Sequence, residues 1–135
     1  MSNYFEWLES YSVGVPELDD DHKILIVLVN DLVVLVNGGV CKRTLEEILM
    51  QLLDYTVFHF QREERLFEQT DYPEMERHRR YHDQFVRKLV EYFIGFKKKT
   101  LNTTDFATFL MDWMITHIQH EDMRYSQHFK DSGLV

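Results

Sequence analysis

Chain-breaking residues are scarce in this sequence, and that scarcity leaves room for little except long helices. Five Gly and two Pro interrupt 135 residues, too few to punctuate a strand-and-turn architecture. The first helical stretch is expected to begin near Leu18 to Asp20, where acidic residues suit a positive helix N-terminus, and to stop at Gly38-Gly39. Thr44, with Glu47 three residues on, forms a capping box for a second stretch that runs to about Thr70. Pro73, after Asp71-Tyr72, suits the first position of a third stretch ending near Lys98. A fourth opens at Thr103 or Thr104 and fades near Phe129. Helices at about 18–37, 44–70, 73–98 and 104–129, joined by short links, should run antiparallel to their chain neighbours. The expected architecture is therefore all-α: one domain over residues 1–135, an up-down-up-down antiparallel four-helix bundle with an N-terminal arm. That arm, residues 1–17, carries Tyr4, Phe5, Trp7 and Tyr11 without a sustained helical period, and should pack across the bundle with one helical turn near its start.

The first helix is the least periodic. Ile24 to Val36 is rich in β-branched residues and apolar on nearly every side, so periodicity alone also permits a buried strand. Its length and the polar Asn30-Asp31 step favour a helix. The side that holds His22 can then present Leu25, Ile26, Val29, Leu32, Val33 and Val36 to the core. Ile24, Val27, Leu28 and Leu35 would face outward, a stripe suited to a protein partner or a second copy of the chain.

Composition removes several classes of function. A net charge of −8 opposes nucleic-acid binding, which needs clustered positive charge. The one basic block, Lys97-Lys98-Lys99, suits a solvated helix C-terminus. The first residues, Met1 to Glu9, lack the basic start and apolar run of a signal peptide. The most apolar segment is shorter than the ~20 residues a membrane helix needs. The single Cys41 cannot form an intramolecular disulfide and reads as a free loop thiol. A cytoplasmic protein is expected, with no membrane and no nucleic-acid partner.

Chemistry-bearing residues then fall in one cluster per predicted helix: Asp19-x-x-His22, His59-x-x-x-Glu63, His78-x-x-x-His82 and His117-x-x-x-x-Asp122. Residues four apart share a helix face, so His59 with Glu63, and His78 with His82, can each aim two donors at one point. A single histidine on an apolar face is ordinarily a hydrogen-bonded core residue. Four clusters on four helices, set among Phe58, Phe60, Phe67, Tyr81, Phe85, Trp113, Met114 and Ile118, instead describe a metal site, because unpaired buried imidazoles are costly. The fourth cluster does not fit an ideal helix. Five residues advance it by about 500°, which leaves His117 and Asp122 about 140° apart. Spacing alone leaves Glu121 and His120 as alternatives to Asp122, unless a local π-type turn intervenes.

The order H…HxxxE…HxxxH…HxxxxD on helices of this length resembles that of the hemerythrins, bacterial hemerythrin domains in particular. The likeness spans nearly the whole chain. It includes Trp7, Tyr11, Val13, Gly14, Leu18, Asp19 and His22, then His59-Phe60-x-x-Glu63-Glu64, Tyr72-Pro73, and Trp113-x-x-x-His117-Ile118-x-x-x-Asp122-x-x-Tyr125. The resemblance implies two iron ions, oxo- or hydroxo-bridged, that bind O2. His78, His82 and His117 would fill one iron; His22 and His59 would hold the other and leave a position open; Glu63 and Asp122 would bridge them. His120 and His128 match no ligand position.

The resemblance also implies an apolar O2 pocket, for which Met114, Ile118 and Phe60 are candidates; many relatives resemble Leu at the Met114 position. Tyr125 and Trp113 are candidates for contacts behind the ligands, Tyr125 as a hydrogen-bond donor to Asp122. Di-iron oxygenases rely mainly on carboxylates, whereas five imidazoles dominate here, so binding is expected rather than oxidation chemistry. The expected function is reversible O2 binding for oxygen transport, storage or sensing, and not enzymatic turnover. The alternatives are a di-iron oxidase, peroxidase or nitric-oxide-handling enzyme, and an oxygen- or redox-sensing interaction module.

Overall fold

The computed structural model describes residues 5–134; Tyr4 of the arm lies outside them. α1 spans Pro16–Val36, α2 Leu45–Thr70 and α3 Met75–Lys97. The fourth rod is compound: α4 (Thr103–Thr116) continues through a π-helical segment (His117–Asp122) into α5 (Met123–Asp131). No strand occurs among the described residues.

Local chemistry explains the boundaries. Pro16 occupies the first turn of α1, where its missing N–H costs nothing, so the helix starts earlier than Leu18. Pro73 does not take that role in α3: it stands in the turn ahead of a helix that begins at Met75. The Thr44–Glu47 capping box forms in both directions at 3.2 and 3.0 Å. Asn102, rather than a threonine, caps α4 by accepting the Asp105 N–H at 3.0 Å. Gly38 ends α1 with φ of 80°, the left-handed region open to glycine. Lys97 closes α3 and pairs with Glu46 at 2.6 Å, and Cys41 sits half-buried in the α1–α2 loop.

α1 packs most closely on α2 and α4, and α2 on α3. Between α3 and α4 the seam is filled by large rings, Phe85 on Trp113 at 3.6 Å and Tyr92 against Phe106 at 4.7 Å. The larger apolar cluster includes Leu32, Leu49, Leu52, Leu89, Phe106 and Leu110. A smaller one gathers Val13, Val15, Leu18, Phe67, Tyr72, Tyr125 and Phe129 at the other end. No helix among the described residues is long and apolar enough to cross a membrane.

The arm is tied down by polar contacts. Its helical turn is a 3-10 turn at Glu9–Tyr11. Phe5 exchanges two hydrogen bonds with the Asn30 side chain, at 2.8 and 2.9 Å. Asp19 accepts from the Ser12 hydroxyl at 2.5 Å and the Val13 N–H at 2.9 Å. The outer stripe of α1 is narrower than expected: Ile24 and Val27 are exposed and Leu35 is half-buried, but Leu28 is buried. Leu28 stands one turn before Leu32, about 40° from it round the axis, and joins the same buried cluster.

Candidate metal centre

Because the helices alternate in direction, the start of α1, the later half of α2, the start of α3 and the end of the fourth rod meet at one level. They bring together His22, His59, Glu63, His78, His82, His117 and Asp122, none more than 1% exposed. Asp19, the remaining member of the four clusters, is not among them; it anchors the arm instead. His22, His59, Glu63, His117 and Asp122 offer donor atoms within 4.8 Å of one another, as do His78, His82 and His117. Two overlapping groups, joined at His117, thus form one polar layer.

The π-helical segment brings Asp122 into that layer. One extra residue in the turn closes the 140° gap, so Asp122 Oδ2 lies 2.9 Å from His117 Nε2. Glu121 turns away to accept two bonds from Arg77, at 2.7 and 3.0 Å. His120 is exposed, and His128 approaches the Thr70 carbonyl at 2.8 Å.

The spacing of the donors fits a cation better than it fits hydrogen bonding. Atoms that share one metal at about 2.1 Å stand about 3 Å apart when they meet it at right angles. Here His22 Nε2 lies 2.6 Å from Asp122 Oδ2 and 3.0 Å from His59 Nε2, and His82 Nε2 lies 2.9 Å from Glu63 Oε1. Yet His78 Nε2, His82 Nε2, His117 Nε2, Glu63 Oε1 and both Asp122 oxygens have no hydrogen-bond partner with acceptable angles. Buried polar atoms are ordinarily satisfied. These converge without pairing, and imidazole nitrogen with carboxylate oxygen is a donor set that iron accepts.

Electrostatics keep His117, His78 and both carboxylates in ligating form, while His59 carries a proton that a metal would displace. Burial drives the His117 pKa down to about 4 against the pull of Asp122, leaving a neutral imidazole. Burial likewise lowers that of His78. Burial also opposes charge on His59, but Glu63 and Asp21 outweigh it and lift its pKa to about 10. The Glu63 carboxyl is held well below its ordinary value because His59 and other histidines overcome its burial, and Asp122 is lowered in the same way by His117 and His22. A layer with two anionic carboxylates and no cation of its own other than protonated histidine attracts a metal ion.

Around the layer, the Tyr125 phenol, kept protonated by burial, donates a short hydrogen bond to Glu63 Oε2. Its expected acceptor was Asp122. The ring instead leans on Phe67, His78 and Phe129, which carries the hydroxyl across to α2. Trp113 stacks on His117 at 4.4 Å and Phe60 on His82 at 3.6 Å. Met114 and Ile118 are buried in the larger apolar cluster. Sequence reasoning missed Asp21, which contacts His59 Nδ1 at 3.0 Å, and gave no role to Glu64, which contacts His82 Nδ1 at 2.8 Å. The available signal was position: each acid directly adjoins a candidate ligand, and one helical step of about 100° turns it toward the neighbouring helix.

The sequence profile of the hemerythrin HHE cation binding domain matches residues 13–128. The chain belongs to the hemerythrin family. Among its hemerythrin relatives, a bacteriohemerythrin of Stenotrophomonas maltophilia is 28% identical over 124 residues, covering 92% of this chain and 80% of the relative. A hemerythrin-like protein of Naegleria gruberi is 33% identical over 121 residues, or 90% of each chain. The crystal structure of a wild-type hemerythrin superposes with a TM-score of 0.82 at 25% identity, covering 93% of this chain and 97% of that one.

Proposed function

We propose that the chain binds O2 reversibly at a di-iron centre and serves oxygen transport, storage or sensing. One observation carries this reading: five imidazoles and two carboxylates, all buried, converge, and inward-facing atoms of His78, His82, His117, Glu63 and Asp122 have no partner. His78, His82 and His117 would hold one iron and His22 and His59 the other, with Glu63 and Asp122 available to both. When bound, the iron pair supplies the electrons that O2 binding borrows and returns.

The protein's part is to hold and to exclude. Glu63 reaches both halves of the layer, with His59 on one side and His82 on the other, and the Tyr125 hydroxyl fixes its rotamer. Asp122 stands between His22 and His117. Met114, Ile118 and Phe60, buried in the larger apolar cluster, offer water no hydrogen bond. Neutral imidazoles outnumber carboxylates, a set that favours release of intact O2 over attack on a substrate.

Metal analysis and an optical spectrum of the anaerobically reduced protein, before and after air, test the reading. Two irons per chain and a visible absorption that appears with O2 and vanishes when O2 is withdrawn are expected. Irreversible conversion on the first exposure would shift the assignment to oxidase or redox-sensor chemistry. A chain that takes up no iron would refute the site.

A further inference from the structure

Two of the five histidines are gripped from behind, one in each half of the metal layer. His59 Nδ1 lies 3.0 Å from Asp21 Oδ2, and Arg62 Nε stands 3.2 Å from that same oxygen. His82 Nδ1 lies 2.8 Å from Glu64 Oε2, whose other oxygen accepts from Arg79 Nε at 3.1 Å. In contrast, Nδ1 of His22 and of His117 has no partner. Each grip therefore has the same three members in the same order: imidazole, carboxylate, guanidinium.

We propose that Asp21 and Glu64 are positioning residues, each of which sets the tautomer and ring angle of one ligand in a different half of the centre. The inference rests on the di-iron reading above. A free imidazole prefers its neutral-form proton on Nε2, the atom that faces the layer here. A carboxylate at Nδ1 reverses that preference, leaves the Nε2 lone pair free for metal, and makes the ring a stronger donor. The guanidinium, an ion-pair partner of Asp21 and a hydrogen-bond donor to Glu64, holds the carboxylate beside the ring.

The two grips are unequal. Asp21 is 2% exposed, so its hydrogen bond acts in a medium of low dielectric. The Glu64 side chain is 24% exposed and lines an open groove of about 540 Å³ between α2 and α3, beside Gln61, Asp83 and Arg87. Its guanidinium is also divided, since Arg79 binds Glu68 at 2.6 Å and Glu76 at 3.1 Å. Water and competing charge dilute the Glu64 grip, so His59 is the more strongly held ligand.

Zinc, which is diamagnetic and takes the same donors, is the probe. Competitive titration of the full chain should find two zinc ions bound, and Asp21→Asn should weaken one of them about 10- to 100-fold. Glu64→Gln should weaken the other, by less. In the zinc-loaded protein the Nδ1 nitrogen and proton resonances of His59 should move in Asp21→Asn alone, and those of His82 in Glu64→Gln alone. Thermal unfolding of the metal-free variants reports any general loss of structure, and Arg62→Met replaces Asp21→Asn should the latter not fold. Two zinc ions bound with unchanged constants and unmoved histidine resonances in both variants would overturn the positioning role only. A wild-type chain that takes up no zinc would overturn the two-metal reading and this role with it.

Discussion

The two ends of the bundle are built on different principles. Away from the metal layer, Leu32, Leu49, Leu52, Leu89, Phe106 and Leu110 meet in an apolar interior that buries no ionisable group, and hydrophobic burial alone can hold it. At the other end, Val13, Val15, Leu18, Phe67, Tyr72 and Phe129 form a thin apolar cap. Directly beneath it lie seven buried donors, several unpaired. That end gives up stability to keep polar atoms unsatisfied, and it leans on the arm, on Tyr125 and on bound metal to recover it. The contrast teaches that the fold does not need the site, whereas the site needs the fold.

The sharpest way to break the comparison is to damage the apolar end. Phe106 is fully buried, and Phe106→Ala is expected to cost about 3–5 kcal/mol in denaturant unfolding. Iron stoichiometry of the protein that remains folded should not change. A loss of iron in step with stability would show the two ends to be one cooperative unit.

Removing the metal should act in the opposite sense. A free metal concentration about a hundredfold above Kd stabilises by about 3 kcal/mol, so a chelator should lower the unfolding midpoint. Hydrogen exchange should quicken around residues 117–122 and Glu63 well before it does around Leu49 and Leu52. Uniform quickening would contradict the division.

Tyr125→Phe probes the link between cap and site. It removes the one phenol that donates to Glu63, and an ionised buried acceptor deprived of its donor costs about 1–3 kcal/mol. Metal-free protein should lose more stability than loaded protein, because metal takes over part of the Glu63 charge. An equal loss in both states would show that the phenol acts through packing alone.

The smallest effect is expected at the rim. Burial raises the Glu121 pKa, but Arg77 outweighs it and holds the group below its ordinary 4.5. A depressed carboxyl contributes stability that is present above the unfolded value and lost as pH falls through the lower folded one. With Arg77 43% exposed, solvent screening limits this to about 0.5 kcal/mol. Glu121→Gln should therefore flatten the acid limb of the stability curve below about pH 4.5, with little change at pH 7.

Much of this was legible in the chain because helices report themselves locally. The capping box at Thr44 and Glu47, the stop at Gly38-Gly39 and the four-residue spacings of His59–Glu63 and His78–His82 each involve neighbours on a single helix. Partners on different helices leave no such trace. Asp21 and His59 are 38 positions apart, and Tyr125 and Glu63 are 62 apart, so nothing in the spacing of one helix announces the other. Asp19 is a further case: it sits three residues before His22, but its partners lie upstream in the arm. Leu28 reads as outward because it lies at the edge of the core-facing stripe, about 40° from Leu32, and periodicity does not say how wide that stripe is. Pro73 is expected at a first helical position and Pro16 in the arm, and the structure exchanges them, because a proline suits the start of a helix and the turn before it equally well.

The π-helical segment makes the fourth rod two helices out of phase with each other. Beyond His117–Asp122, every side chain of α5 is carried about one residue, or about 100°, round the axis from where a straight continuation of α4 would put it. Tyr125 and Phe129 reach the cap only through that offset. Straightening 117–122 into regular α-helix at unchanged length would thus do more than misplace Asp122: it would rotate the whole C-terminal end by about 100° and swing both rings away from the cap. Loss of one residue there would instead leave a regular helix with both rings still in phase. The phase of the C-terminal end is therefore set by the same short segment that carries His117 and Asp122.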